Sequence, residues 1–139
     1  MKVLIIHGPN MNLLGLYSKN RLTLDKLNQS IKQHIRGSDL TAKIYQTHDQ
    51  KKFLSLLQAN RNKVDAFIIN IGPWHPTAYL IKETLNILKV PYIIVEHSTN
   101  NIEGHDKLLD LSVFEEKYII KNDSIENAYI EALNQLLNK

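Results

Sequence analysis

The chain has 139 residues, enough for one domain with a real core and too few for two ordinary ones. It contains no cysteine, which excludes disulfides, thiolate metal centres and cysteine nucleophiles and permits a reducing compartment. Its net charge of +3 comes with lysines scattered along the chain rather than gathered among aromatics, so no phosphate-tracking surface is spelled out and no nucleic acid partner is expected.

The chain opens on Lys2 and the apolar run Val3-Leu4-Ile5-Ile6, which stops at Gly8-Pro9. That run is too short for a signal segment or a membrane span, so a cytoplasmic protein without membrane association is expected. It reads instead as a buried first strand over residues 3–6. Leu24, Leu27, Ile31 and Ile35 keep helical spacing, and a second strand follows at 42–45. Phe53, Leu54 and Leu57 mark a helix before a third strand at 66–69. Leu80, Ile81, Leu85 and Leu88 mark another before a fourth at 92–95. Residues 96–111 read as one long irregular stretch, and loops of that length in compact domains often carry function. A short strand at 118–120 precedes a last helix through Ile125, Ala128, Tyr129, Ala132, Leu133 and Leu136, capped at Asp123-Ser124.

The first, third and fourth strands are apolar enough to be buried on both faces. Strands alternating with helices imply right-handed crossovers and an all-parallel sheet. By analogy, the expected architecture is α/β, a flavodoxin-like three-layer sandwich with strand order 2-1-3-4-5, in a single domain over residues 1–139.

Open sheets of this kind bind ligands at the carboxyl edge, where strand order reverses. Three strand ends meet there. They carry Asn10 and Asn12 after the first strand, Asn70 through Thr77 after the third, and Glu96-His97-Ser98-Thr99-Asn100 after the fourth. Amides, hydroxyls, imidazoles and a carboxylate gathered at one edge can orient a small polar molecule and move a proton. Any one of these asparagines, glycines or prolines alone would be explained by turn-making.

Several landmarks run in the same order as in a known family. They are His7-Gly8-Pro9-Asn10-Met11-Asn12-Leu13-Leu14-Gly15, Thr23-Leu24, Tyr45-Gln46-Thr47, Ile69-Asn70-Ile71-Gly72 with Thr77, and Pro91 through Asn100 with an inserted residue before His97. Together they resemble the signatures of the type II 3-dehydroquinate dehydratases, across nearly the whole chain. The resemblance implies a cofactor-free trans-dehydration of 3-dehydroquinate to 3-dehydroshikimate through an enolate, in the shikimate pathway of aromatic amino acid biosynthesis or in quinate breakdown. It also implies a small carboxylic acid as the only partner besides other copies of the chain, in a homo-oligomer built from trimers, up to a homododecamer.

Carried over by position, Asn10 would hold a water on the enolate and Asn70 a substrate hydroxyl. His97 would be the general acid, and Thr99 with the amide of Ser98 would bind the carboxylate. His75 and Lys107 are further substrate-binding candidates. Tyr17 is the tyrosine of the lid. It is either the base, with Lys19 or Arg21 lowering its pKa, or the occupant of the family's arginine position, in which case no base exists. The lid is shorter than the family's and lacks its Arg-Glu-Pro. Without the insertion before His97, Glu96 takes the acid position instead, and such a slip along a strand reverses the face presented. Proline stands at residue 76, where the family has histidine, and the later family arginines have no counterpart among residues 101–107.

Rival chemistries lack their motifs. There is no G-x-G-x-x-G after the first strand, no phosphate-binding G-x-x-x-x-G-K-(S/T), no G-x-S-x-G elbow, and none of the six histidines stands in an H-E-x-x-H, so no metal site is expected. A non-catalytic relative that keeps the scaffold and binds a small hydroxy acid is the alternative reading.

Overall fold

The computed structural model describes residues 1–98 and 101–138. Five strands form one sheet: β1 (Lys2–His7), β2 (Thr41–Gln46), β3 (Ala66–Ile69), β4 (Tyr92–His97) and β5 (Ile119–Asn122). Their order is β2-β1-β3-β4-β5, the flavodoxin-like order expected by analogy, and every pairing is parallel, as the alternation of strands and helices implies. The helices among the described residues are α1 (Leu14–Tyr17), α2 (Leu24–Ile35), α3 (Gln50–Asn60), α4 (Tyr79–Leu88), α5 (His105–Asp110) and α6 (Ile125–Leu137).

Period-two alternation along the strands divides the core between the two faces of the sheet. Val3 and Ile5 pack with Leu27 and Ile31 of α2 and with Ala128, Tyr129 and Leu133 of α6. Leu4 and Ile6 pack with Phe53 and Leu57 of α3 and with Ile81 and Leu85 of α4. Each such side chain contributes about 1.5–3 kcal/mol through burial. Thr23 caps α2 by accepting the Lys26 amide, and Ser124 caps α6 by accepting the Asn127 amide, which aims both helix starts at the carboxyl edge of the sheet.

The stretch expected to be irregular at 96–111 is shorter than that. Glu96 and His97 belong to β4, and α5 occupies its far end, entered through Gly104 at a φ of +79°. Leu109 is the buried residue of α5, too little periodicity to be seen in sequence. The turn after β1 lies directly on the turn after β3. A Cβ on Gly8 would stand 2.4 Å from the carbonyl oxygen of Asn70, so only glycine allows this approach. Gln46 braces the same turn by donating from Nε2 to the Gly8 carbonyl at 3.2 Å.

Candidate active site

β1, β3 and β4 lie side by side, so Asn10, Asn70 and the pair Glu96-His97 all reach one edge. The pair divides there. β4 keeps its register with β5 through Glu96 opposite Lys121 and His97 opposite Asn122, so consecutive side chains turn to opposite faces. Glu96 follows Ile94 toward the α3/α4 layer, and His97 follows Val95 toward the α2/α6 layer. Two polar clusters result, one on each side of the sheet edge.

The first is closed around Glu96, whose relative exposure is 0%. Its Oε1 accepts from the amides of Ile71 and Gly72, each at 3.1 Å, and from Nε2 of His75 at 2.7 Å. Its Oε2 accepts from Nδ2 of Asn70 at 3.1 Å, and the same nitrogen donates to the Val95 carbonyl at 2.9 Å. His75 is equally buried, and its Nδ1 meets the Ser112 hydroxyl at 2.6 Å. A carboxylate surrounded by donors has its burial compensated, as a buried charge must.

The second cluster is looser. Nε2 of His97 faces the carbonyl of Asp123 at 2.9 Å and must carry the proton, since a carbonyl only accepts. That leaves Nδ1 with the lone pair. This atom is buried and meets no hydrogen-bond partner among the described residues. The Tyr17 ring lies over the imidazole with centroids 6.0 Å apart. Its hydroxyl donates to the Asn10 carbonyl at 3.4 Å, and Asn101 Nδ2 holds the Tyr17 carbonyl at 2.7 Å. A cleft of about 260 Å³ opens beside them, lined by Ser18, Lys19, Leu22, His97, Asp123 and Ser124 among others.

Burial shapes the titration of both rings. Loss of hydration pushes the Tyr17 hydroxyl up to about 12, and the negative charge of Glu96 pushes the same way. Of the two cations expected to act on Tyr17, Lys19 or Arg21, the Lys19 ammonium sits 3.8 Å from the Asp123 carboxylate. Burial also lowers the His97 pKa below its ordinary value, against the opposing hydrogen bond to Asp123. That direction favours the neutral imidazole at pH 7.

The remaining expected site residues fall in varied places. Asn10 is exposed, at a φ of +67°, and its amide points to Nδ1 of His48 at 3.5 Å. Asn70 shares its cluster with Glu96, not with His97. Both nitrogens of His75 are engaged inside the protein. The Ser98 amide donates to the Asn122 carbonyl at 3.0 Å, extending the sheet rather than facing a ligand. Lys107 is exposed on α5, and Thr99 lies outside the described residues. The structure adds Asp123, Asn101 and Ser112, which no motif marks. Asp123 acts through its backbone carbonyl, which any residue would supply, and Asn101 and Ser112 are ordinary loop polars until the chain folds.

The family model for class II dehydroquinase matches residues 1–136. The chain belongs to that family. The 3-dehydroquinate dehydratase of Caldanaerobacter subterraneus subsp. tengcongensis is 30% identical over 115 residues, covering 81% of this chain and 76% of that relative. The enzyme of the same name from Clostridium botulinum is 27% identical over 140 residues, covering 98% of this chain and 94% of its own. The crystal structure of the type II dehydroquinase from Butyrivibrio crossotus superposes with a TM-score of 0.81 at 26% identity, over 100% of this chain and 98% of that one. Among the described residues no group of three or more His, Cys, Asp or Glu side chains is placed to hold a metal ion, and no helix is long and apolar enough to cross a membrane.

Proposed function

We propose that this class II dehydroquinase removes water from 3-dehydroquinate, with His97 and Tyr17 as the proton-handling pair and Asn10 beside them. The observation that carries the reading is the lone pair on Nδ1 of His97, buried at the carboxyl edge of the sheet against Tyr17 and without a partner among the described residues. Titration directions suggest who gives and who takes. A neutral imidazole starts a cycle as an acceptor, and a hydroxyl held near pKa 12 starts it as a donor. In this scheme Nδ1 of His97 takes a proton from the carbon beside the ketone, and the electron pair passes into an enolate. As the enolate collapses, the C–O bond breaks and the hydroxyl departs as water with the proton of Tyr17. Solvent then returns the proton from His97 to Tyr17. The roles are reversed from those implied by the family resemblance, and the reason is local: Lys19 pairs with Asp123, and among the described residues the Tyr17 hydroxyl bonds to Asn10 and Met11 rather than to a cation that would stabilise a phenolate.

Asn70 is the candidate for a substrate hydroxyl. The single trimer-based assembly and the cytoplasmic setting suggested by the resemblance accompany this reading as proposals. The direct test is turnover of the purified chain on 3-dehydroquinate, followed as growth of conjugated enone absorbance. Borohydride added with substrate leaves the protein mass unchanged, because no Schiff base forms. A second reading, a binding relative without turnover, is favoured by the amides of Ile71, Gly72 and Ser98, all taken by protein acceptors. Thermal stabilisation by 3-dehydroquinate without enone formation would select it.

A further inference from the structure

The Glu96 corner contains more machinery than these proton transfers use. Ser112, His75 and Glu96 form a chain of hydrogen bonds at 2.6 and 2.7 Å, in the order of a hydroxyl–imidazole–carboxylate triad. It does not end in a nucleophile. The imidazole and carboxylate are closed to solvent, and the Ser112 oxygen already accepts the Phe114 amide at 3.1 Å. The working end of the chain is Asn70.

We propose that Glu96, backed by His75 and Ser112, is a positioning residue that locks the Asn70 amide with its Oδ1 outward, so that the site selects a ligand presenting a hydroxyl donor there. This rests on the dehydratase reading and names a residue responsible for its selectivity. Both protons of Nδ2 are spent, one on the Val95 carbonyl and one on Glu96 Oε2. Flipping the amide would set Oδ1 against two acceptors, so the orientation follows from the partners themselves. Among the described residues no donor reaches Oδ1. Gly72 puts no side chain over it, whereas an added Cβ there would come into van der Waals contact with that oxygen at 3.9 Å. Glu96 also meets three groups on its other oxygen, the Ile71 and Gly72 amides and the His75 ring, which fixes the carboxyl group's orientation toward Asn70.

Glutamine cannot replace it. Its amide group must face either the Asn70 nitrogen or the three donors opposite, and both meetings place donor against donor. The experiment combines Glu96→Gln, Asn70→Ala and the double variant in the full chain, with kcat and KM measured separately on 3-dehydroquinate. Glu96→Gln raises KM by about tenfold or more, and the double variant is no worse than Asn70→Ala alone, because Glu96 acts through Asn70. Losses that multiply in the double variant, or a fall in kcat with KM kept, overturn the proposal. Should Glu96→Gln fail to fold, Ser112→Ala gives the same non-additive pattern with Asn70→Ala at smaller amplitude, and multiplying losses there overturn the proposal equally. An independent arm needs no turnover. In the ¹⁵N-labelled wild-type chain the Asn70 Nδ2 protons exchange with solvent about a hundredfold or more slower than those of exposed asparagines such as Asn12. Exchange at the exposed rate overturns the lock. Slow exchange in a chain that shows no turnover keeps the lock and defeats the dehydratase reading instead.

Discussion

The two polar clusters at the sheet edge are built from neighbouring residues and behave oppositely. Around Glu96 each oxygen has its donors, and nothing is left over. Around His97 one ring nitrogen is tied to a carbonyl and the other is left with its lone pair. A satisfied buried network rigidifies, whereas an unsatisfied buried group is held at a cost of about 1–3 kcal/mol and is a place where chemistry is expected. In the proposed scheme Glu96 supports and His97 reacts, and this contrast is what the predictions test.

The largest effect that sharpens this contrast is on folding. Glu96→Ala leaves four buried donors facing a void and should destabilise the chain by about 3–5 kcal/mol in urea denaturation. A loss below about 1 kcal/mol would remove the supporting role. His97→Ala should lower turnover of 3-dehydroquinate by about 10²–10⁴-fold with little change in melting temperature. Retained turnover in that variant would break the comparison outright.

A pH series separates support from reaction further. His7 ends β1, buried, with Nδ1 at 2.7 Å from the Tyr129 hydroxyl and Nε2 at 2.8 Å from the Asn28 Oδ1. Burial lowers its pKa to about 4, only partly opposed by the Asn28 bond. The unfolded chain therefore binds a proton below about 6.5 that the native chain refuses, and stability falls as pH drops from 6.5 toward 4. The loss is about 3 kcal/mol, measurable as urea midpoints across that range, and should be largely absent in His7→Asn. For turnover, a neutral His97 acceptor gives a kcat/KM that falls on the acid side below about 6.5 and stays flat from pH 8 to 10. A rise through that alkaline range would return the base to Tyr17 phenolate. The smallest effect is Tyr17→Phe on stability, within about 0.5 kcal/mol, because its hydroxyl contacts are long at 3.4 and 3.8 Å.

Much of this was readable before folding. The strands were legible because residues 3–6 of β1, 66–69 of β3 and 92–95 of β4 form apolar runs, and a parallel sheet followed from their alternation with helices. Asn10, Asn70, Glu96 and His97 were legible as strand-end polars. Which two belong together was not. A sequence carries no sign of which face a strand residue presents until register is set, and the doubt over an insertion before His97 was a doubt about that face. His75 illustrates the same gap: an imidazole in a polar loop reads as a ligand group, yet its surroundings enclose both nitrogens.

Sequence by itself determined the five strands, the four long helices and the family, because apolar period and turn residues are local properties that survive any rearrangement of neighbours. Only the tertiary structure decided that Glu96 is enclosed by donors, that Nδ1 of His97 meets no partner among the described residues, and that Lys19 pairs with Asp123. Those outcomes depend on partners distant in the chain, such as Asp123 for His97 and Ser112 for His75, and no local pattern records a contact across the fold.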